Sequence, residues 1–311
     1  MSEFHHISVL LQECLDGLDI KPDGIYVDGT LGGAGHSSRI AARLTTGRLI
    51  GIDRDPVALK AAGERLKPYE DRVTLVHSNF SEMAQVLQEL EIPGVDGILL
   101  DLGVSSPQLD DGQRGFSYML DAPLDMRMNS GDSLSAETVV NTWSQEELKR
   151  ILYTYGEERY APQIAAAICR RREEKPIRTT LELVDIIRGA MPPAALREKQ
   201  HPAKRSFQAI RIAVNDELGA VERIMEDAVD LLNPGGRLAI ITFHSLEDRI
   251  VKTGMNEAAK GCTCPPSFPI CVCGKKPKVK IISRKPITAS EKELEDNPRS
   301  RSAKLRVCEK L

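Results

Sequence analysis

The sequence lacks long apolar runs, a signal peptide and a cysteine framework. No stretch reaches the roughly 20 apolar residues that a membrane-spanning helix needs. The first residues lack the basic and apolar regions of a secretory signal. Seven cysteines, an odd number in a chain of 311 residues, do not form the disulfide framework of a small secreted protein. We therefore expect a cytoplasmic protein with no membrane partner, long enough for one or two domains.

The chain also lacks the overall positive charge that attracts nucleic acid, since its formal net charge is −3. The charge is uneven. Residues 262–311 contain 12 Lys and Arg against 5 Asp and Glu, whereas the other residues contain 30 against 40. Basic clusters at residues 170–172, 275–278 and 299–301 are candidates for phosphate contacts. An ordinary solvated surface is the alternative for each cluster.

Strand and helix patterns alternate in the first third of the chain. Apolar runs typical of buried parallel strands occur at residues 24–27, 48–52, 73–77, 97–100 and, later, 237–243. Helical segments at residues 56–66 and 81–90 separate the early runs, and Ser81 is a suitable N-cap for the second. This alternation predicts an α/β fold with a doubly wound, Rossmann-like sheet and right-handed crossovers.

The alternation stops between residues 110 and 208, where only helical patterns occur. Capping boxes at residues 144–147 and 179–182 predict helix starts. Leu181, Val184 and Ile187 recur at helical spacing. We therefore expect an inserted helical domain at residues 110–208.

The remaining parts of the chain, residues 1–109 and 209–311, are expected to form the sheet domain together. A predicted helix at residues 207–232 ends at an Asn-Pro-Gly-Gly stop. Residues 278–283 and 302–307 are expected to add two paired strands at the end of the chain.

A glycine-rich turn follows the first predicted strand, and an acid follows the second. Glycines let a backbone approach a ligand closely, and Asp53 at a strand end can accept both hydroxyls of a ribose. Ser38 breaks the G-x-G-x-x-G fingerprint of NAD-binding proteins. A carboxylate at Asp28 suits a ligand that carries an amino group better than it suits a pyrophosphate, which binds to bare backbone N–H groups. The pattern favours S-adenosylmethionine (SAM) over NAD.

Polar residues also follow the fourth and fifth strands. Asp101 ends the fourth strand, and residues 244–249 follow the fifth. Because open α/β sheets bind ligands beyond the carboxyl ends of their strands, we expect these residues to line one crevice. A local cap of backbone N–H groups is the alternative role for Asp101. Ser245 lacks the G-x-S-x-G elbow of a serine hydrolase.

Six motifs together resemble the RsmH (MraW) family of bacterial methyltransferases. They are DGTLGGAGH at residues 28–36, DRD at 53–55, LDLGVSSPQL at 100–109, PLDMRM at 123–128, YGEER at 155–159 and FHSLEDR at 243–249. The resemblance covers almost the whole chain. It implies a class I SAM-dependent methyltransferase fold with an inserted helical domain for substrate recognition. It also implies methylation of the N4 amine of one cytidine in the decoding centre of 16S rRNA, within the small ribosomal subunit. A homodimer is possible.

The resemblance implies a set of SAM contacts at strand ends. They are Ala34, Gly35, His36, Asp53, Phe80, Asp101 and Gln108. The loop at residues 34–36 would approach the methionyl part and Asp53 would bind the ribose. Phe80 would lie against the adenine, and a core phenylalanine is the alternative.

The resemblance also bears on catalysis. Cytosine N4 is a poor nucleophile, so a catalyst must accept hydrogen bonds from the amine as charge develops. We expect Asp101 and Ser105 to accept them, supported by His244 or Asp248. The polar-Pro-Pro-aromatic motif of DNA amino-methyltransferases is absent after Asp101, so the group that sandwiches the base stays open. The target must leave its stack. The alternatives are a DNA amino-methyltransferase and a non-catalytic SAM-binding protein.

Four cysteines form two Cys-x-Cys pairs, Cys262 with Cys264 and Cys271 with Cys273. Four thiolates can bind zinc, but metal knuckles usually have two residues between their cysteines. Structural zinc and metal-free thiols both stay open. Methyl transfer to an amine requires no metal, so we expect no catalytic one.

Overall fold

The structure, a computed structural model, describes residues 8–105, 108–109, 111–262, 264–265, 268, 270 and 272–311. The chain divides into two compact units. The first combines Met1–Gly103 with Leu218–Leu311, and the second is Val104–Glu217. The predicted insert boundaries at residues 110 and 208 lie inside the second unit.

The first unit contains a sheet in which the described strands have the order β3-β2-β1-β4-β5-β7-β6. The strands are β1 Ile25–Asp28, β2 Arg48–Asp53, β3 Val73–His77, β4 Val95–Asp101, β5 Leu232–Thr242, β6 Val279–Ile281 and β7 Lys304–Lys310. Strands β1 to β5 pair in parallel, and β7 is antiparallel to both β5 and β6. The predicted doubly wound sheet is confirmed, as is the pairing of two strands in the tail.

The described helices are numbered in chain order. They are α1 Leu11–Leu18, α2 Gly35–Ala41, α3 Pro56–Leu66, α4 Met83–Glu89, α5 Ala136–Thr142, α6 Gln145–Gly156, α7 Ala161–Glu174, α8 Thr180–Ala190, α9 Lys204–Asn215, α10 Glu217–Leu231, α11 Ser245–Ala259 and α12 Glu291–Asp296. Within the described residues, no helix is both long enough and apolar enough to cross a membrane.

Two apolar layers cover the sheet of the first unit. Ile98 and Leu100 of β4 point into a cluster with residues of α4, α10 and α11. Leu99 points to the opposite face, into a cluster with residues of α1, α2 and α3. This alternation follows from the period of two in a strand. It explains why β4 is apolar throughout its middle, since both faces are covered by helices.

Two helix boundaries differ from the prediction. Ser81 is not an N-cap. Asn79 accepts a hydrogen bond from the Ser81 N–H instead, and a short 3-10 turn, Phe80–Glu82, precedes α4. The single helix expected at residues 207–232 is two helices, because Asp216 adopts a left-handed conformation with φ 49° and interrupts the hydrogen-bond ladder.

The second unit is helical and has its own apolar cluster. Both predicted capping boxes are present, at the starts of α6 and α8. In α8 the buried face consists of Leu183, Val184 and Ile187, whereas Leu181 is 37% exposed. The predicted stripe is therefore correct only in its second half.

Candidate active site at the carboxyl ends of the strands

The direction of winding changes between β1 and β4, which are neighbours in the sheet. Ligands bind in open α/β sheets at such a switch point, beyond the carboxyl ends of the strands. Asp28 ends β1, Asp53 ends β2 and Asp101 ends β4. The fold therefore brings three predicted acids to one edge of the sheet.

Asp28 is a buried support for the glycine-rich loop. It is 2% exposed, and it accepts hydrogen bonds from Ser37 Oγ at 2.7 Å and from the Thr30 N–H at 3.1 Å. Burial raises its pKa, although these hydrogen bonds oppose the shift. Its burial and these two hydrogen bonds favour a supporting role, and the predicted contact with an amino group of the ligand stays a prediction.

The loop after β1 is tied to two strands. The Gly29 N–H donates to the Leu99 carbonyl at 2.9 Å, and the Leu31 N–H donates to the Ile52 carbonyl at 3.1 Å. A Cβ at Gly29 would lie 2.5 Å from Leu100, so close packing requires glycine there. A Cβ at Gly33 would meet nothing within 4 Å. The loop is thus fixed at its start and leaves open space beside Gly33.

Ala34, Gly35 and His36 form the turn into α2. Ala34 has a left-handed backbone, with φ 57°. His36 is buried, its Nε2 lies 2.9 Å from the Val9 carbonyl oxygen, and its Nδ1 lies 3.8 Å from Asp101 Oδ2. The structure therefore brings His36 and Asp101 close together, and the predicted contacts of residues 34–36 with SAM stay a prediction.

Asp53 connects the loops after β1 and β2. Its Oδ2 accepts the Gly32 N–H at 2.7 Å, and its Oδ1 accepts the Asp55 N–H at 2.8 Å. Burial raises the pKa of Asp53 to about 6, against the effect of these hydrogen bonds and with a smaller contribution from neighbouring carboxylates. Each carboxylate oxygen can accept a second hydrogen bond. Asp53 can therefore support the loop and still bind a ribose.

The pKa of Asp101 is raised further than that of Asp53. Burial raises its pKa to about 8, and the negative charges of Asp28 and Glu247 add to the shift. The side chain is 26% exposed, yet its Oδ1 is buried and has no hydrogen-bond partner among the described residues. Its backbone N–H donates to Thr30 Oγ1 at 2.6 Å. The carboxylate accepts no backbone N–H of the described residues. This disfavours the alternative that Asp101 is a local cap.

Phe80 lies in the turn that follows β3. It is half-buried and packs against the apolar cluster under β4. Its Cβ is 3.0 Å from the position that a Cβ at Gly29 would occupy. Phe80 therefore combines a core contact with an exposed part beside the glycine-rich loop, and the predicted adenine contact stays a prediction.

His244 caps α11, which follows β5. Its Nδ1 accepts the Glu247 N–H at 3.4 Å, and its Nε2 lies 3.1 Å from Glu247 Oε1 without the angle of a hydrogen bond. Glu247 is 1% exposed, and its Oε2 accepts the Phe243 N–H at 2.9 Å. Glu247 was not expected to matter on its own. The signal was its position three residues after His244, which completes a capping box.

Asp248 lies beside His244 in the sequence but forms ion pairs with β7. Arg306 Nε donates to its Oδ1 at 2.7 Å, and Lys304 Nζ lies 3.4 Å from its Oδ2. Burial would raise the pKa of Asp248, but the hydrogen bonds and charges of Arg306 and Lys304 outweigh burial and lower it. These contacts favour a structural role, and its predicted support of catalysis stays a prediction.

Ser105 and Gln108 belong to the second unit and bind each other. The Ser105 N–H donates to Gln108 Oε1 at 3.0 Å, and the Gln108 N–H donates to Ser105 Oγ at 3.4 Å. Gln108 is buried, whereas residues 106 and 107 lie outside the described part. These two hydrogen bonds stiffen the loop. The predicted contact of Gln108 with SAM and that of Ser105 with the target amine stay predictions.

The first unit offers the chemistry that SAM requires. A sulfonium and an ammonium group are cationic, and the edge of the sheet concentrates carboxyl groups whose pKa values are raised by burial and by one another's charge. The buried, unpartnered Oδ1 of Asp101 and the open space beside Gly33 indicate room and polarity for a ligand. The residues present therefore fit the cofactor.

Comparison with known proteins agrees with this site. The model of the "MraW methylase family" matches residues 3–311. The chain is 59% identical over 309 residues to a Brevibacillus brevis protein named "Ribosomal RNA small subunit methyltransferase H", covering 99% of this chain and 98% of that protein. Proteins of the same name from Clostridium botulinum (strain Kyoto / Type A2) and Heliobacterium mobile are 61% and 57% identical, covering 99% of this chain and 100% of each protein. The chain belongs to the MraW methylase family, which confirms the predicted class I methyltransferase fold, the methyltransferase activity and the use of SAM.

Proposed function

We propose that this chain methylates the N4 amine of one cytidine in the decoding centre of 16S rRNA, within the small ribosomal subunit. The observation that carries the proposal is Asp101, whose buried carboxyl oxygen has no partner among the described residues at the ligand-binding edge of the sheet. Full-length similarity to proteins named as small-subunit rRNA methyltransferases supports the choice of RNA. This substrate would place the enzyme in the cytoplasm.

When bound, SAM supplies an electrophilic methyl group on a positively charged sulfur. The protein contributes orientation and proton acceptance. Transfer of this methyl group to N4 would place positive charge on the amine and make its protons more acidic. Asp101 Oδ1 accepts a hydrogen bond from the amine and then its proton. The raised pKa of Asp101 suits it to hold that proton.

The neighbours of Asp101 position it. Thr30 Oγ1 holds its backbone N–H, and His36 lies against its other carboxyl oxygen. His244 fixes the start of α11 and with it the buried Glu247, whose negative charge raises the pKa of Asp101. Asp53 binds the ribose of the cofactor in this proposal, and Phe80 contacts its adenine.

The proposed RNA-binding surface includes the exposed basic side chains of α7. Arg170 is exposed, and Arg171 forms only a surface ion pair with Glu174 at 3.1 Å. Arg172 is different, because its Nη1 donates to the carbonyls of Val140 and Trp143. The predicted cluster is therefore reduced to two candidate phosphate contacts, and Arg172 stabilises the end of α5.

We expect the double variant Arg170→Ala with Arg171→Ala to bind small ribosomal subunits about fivefold to tenfold more weakly at moderate salt. Each lost phosphate contact also lowers the slope of log affinity against log salt by about one. Filter binding at several salt concentrations measures both values.

Lys149→Ala is the matched control for this pair, because it removes a basic side chain from a different helix, α6, where Lys149 forms a surface ion pair with Glu146 at 3.0 Å, as Arg171 does with Glu174 on α7. It should leave subunit affinity unchanged. SAM affinity should be unchanged in all three proteins. An unaltered salt slope in the double variant would mean that α7 does not contact RNA.

The function is tested by transfer of a labelled methyl group from SAM to small ribosomal subunits, naked 16S rRNA and duplex DNA. We expect the subunits to be labelled most rapidly. Labelling of DNA alone would support the DNA amino-methyltransferase alternative. SAM binding without labelling of any substrate would support the non-catalytic alternative. Sedimentation of the full chain tests the proposed homodimer.

A further inference from the structure

Residues 260–278 connect α11 to β6 in a long segment, and contacts near its two ends hold those ends together. The Lys278 N–H donates to the Ala258 carbonyl at 2.8 Å, and Lys278 Nζ pairs with Asp230 at 2.8 Å. Its described residues contain no helix or strand. The apolar side chains of Phe268, Ile270 and Val272 are 50%, 75% and 73% exposed. The described part therefore has no apolar core, and a loop of this length needs another source of order.

Three thiols converge in this loop. The Sγ atoms of Cys262, Cys264 and Cys273 all lie within 4.8 Å of one another, and those of Cys262 and Cys273 are 3.7 Å apart. Zinc binds thiolates at about 2.3 Å with tetrahedral geometry, which places two sulfur ligands about 3.8 Å apart. The spacing of Cys262 and Cys273 matches the edge of such a tetrahedron, and Cys264 lies within 4.8 Å of both.

Backbone N–H groups point at two of these sulfur atoms. The Cys264 N–H donates to Cys262 Sγ and the Val272 N–H donates to Cys264 Sγ, both at 3.4 Å. Donors of this kind stabilise and orient metal-bound thiolates. Gly274, with φ 64°, provides a left-handed turn directly after Cys273. One residue between Cys262 and Cys264 is therefore enough for their sulfur atoms to share a site, because the backbone folds back and its N–H groups meet those atoms.

We propose that Cys262, Cys264 and Cys273 bind one structural Zn²⁺, which holds these three described residues of the loop together. Soft thiolate ligands select zinc over magnesium or calcium. Cys271 lies outside the described residues and is assigned no role. The metal takes no part in methyl transfer. Its binding free energy instead stabilises a loop that lacks a core.

Metal analysis of the full chain, purified without a histidine tag, tests the site. We expect about one zinc per chain in the wild type and less than about a tenth of that in Cys262→Ser and Cys273→Ser. Cys169→Ser is the control, because Cys169 is a half-buried thiol of the second unit, and it should keep its zinc. A wild type with no more zinc than Cys273→Ser, or equal loss in Cys169→Ser, would overturn the proposal.

Two further measurements do not depend on activity. Cobalt-substituted wild type and Cys169→Ser should show thiolate-to-cobalt charge-transfer absorption, whereas Cys262→Ser should not. Removal of the metal with a chelator should make the Lys275–Lys276 bond more susceptible to trypsin, while SAM affinity and turnover at saturating SAM stay within about twofold. Absence of the cobalt band, or a Cys262–Cys273 disulfide in freshly purified zinc-free protein, would contradict the site.

Discussion

Asp101→Asn should lower the rate of methyl transfer by roughly 100- to 1000-fold, the cost of losing a preorganised group at the reacting atoms. SAM affinity should fall much less, since the contact with the amine strengthens only in the transition state. Asparagine keeps the size of the side chain but cannot take the amine proton. Single-turnover rates and calorimetric SAM affinities, measured on the same preparation, separate the two effects. Normal turnover with poor SAM binding would reduce Asp101 to a cofactor ligand.

The pH dependence provides a second readout of the same variant. Burial raises the pKa of Asp101 to about 8 and that of Asp53 to about 6, so both lose their negative charge as the pH falls. The kcat/KM for SAM reports the free enzyme and should rise with pH until about 8. In Asp101→Asn the increase in kcat/KM between about pH 6 and about pH 8 should disappear. An identical pH profile in both proteins would argue against a proton-accepting role.

Loss of folding does not explain the expected effect of Asp101→Asn. The folded-state pKa of Asp101 lies above its unfolded value, so the folded protein binds the proton more tightly. Its contribution to the free energy of unfolding therefore decreases as the pH rises from about 4 to about 8. The variant removes this penalty, and its Tm at pH 8 should be equal to or above that of the wild type.

Asp53→Ala should weaken SAM binding by about 10- to 100-fold, because a ribose held by an ionised acceptor contributes about 1.5–3 kcal/mol. The structure adds a second effect, since the variant leaves the N–H groups of Gly32 and Asp55 without their acceptor. Asp53→Asn retains one carbonyl oxygen and should lie between the two proteins in calorimetric affinity. Affinity within about twofold of wild type for Asp53→Ala would remove Asp53 from the SAM site.

Asp96→Asn is the matched control for both acids. Asp96 also accepts a backbone N–H, from Ile25 at 2.9 Å, and it pairs with Lys21. It lies at the amino end of β4, away from the ligand-binding edge. The variant should therefore leave SAM affinity and turnover unchanged.

The strands and the positions of the acids could be predicted because they depend on local pattern. Apolar runs identify strands buried on both faces, and the residue after each run must lie at the carboxyl edge. The roles of individual acids were harder to predict. Asp28 ends a strand as Asp53 does, and each accepts two hydrogen bonds within the protein, but Asp28 is buried whereas Asp53 is half-buried. Only the packing of the loop distinguishes a supporting acid from a ligand-binding one.

The other differences between prediction and structure have two causes. Some arise from contacts between residues far apart in the sequence, and others from local backbone conformation at the ends of helices. Asp248 meets Arg306 through the pairing of β5 with β7, which the sequence around Asp248 does not reveal. Asn79 and Ser81 are both good caps, and Asn79 caps the 3-10 turn that precedes the helix. The interruption at Asp216 arises from a left-handed residue other than glycine, which carries no clear signal.

The chemical identity of the methylated nucleoside tests the central claim most directly. Small ribosomal subunits labelled with methyl groups from SAM would be digested to nucleosides and separated against standards. We predict that the label elutes with N4-methylcytidine in the wild-type reaction and is strongly reduced with Asp101→Asn. Label in 5-methylcytidine, in a ribose-methylated nucleoside or in a methylated adenosine would contradict the proposed reaction.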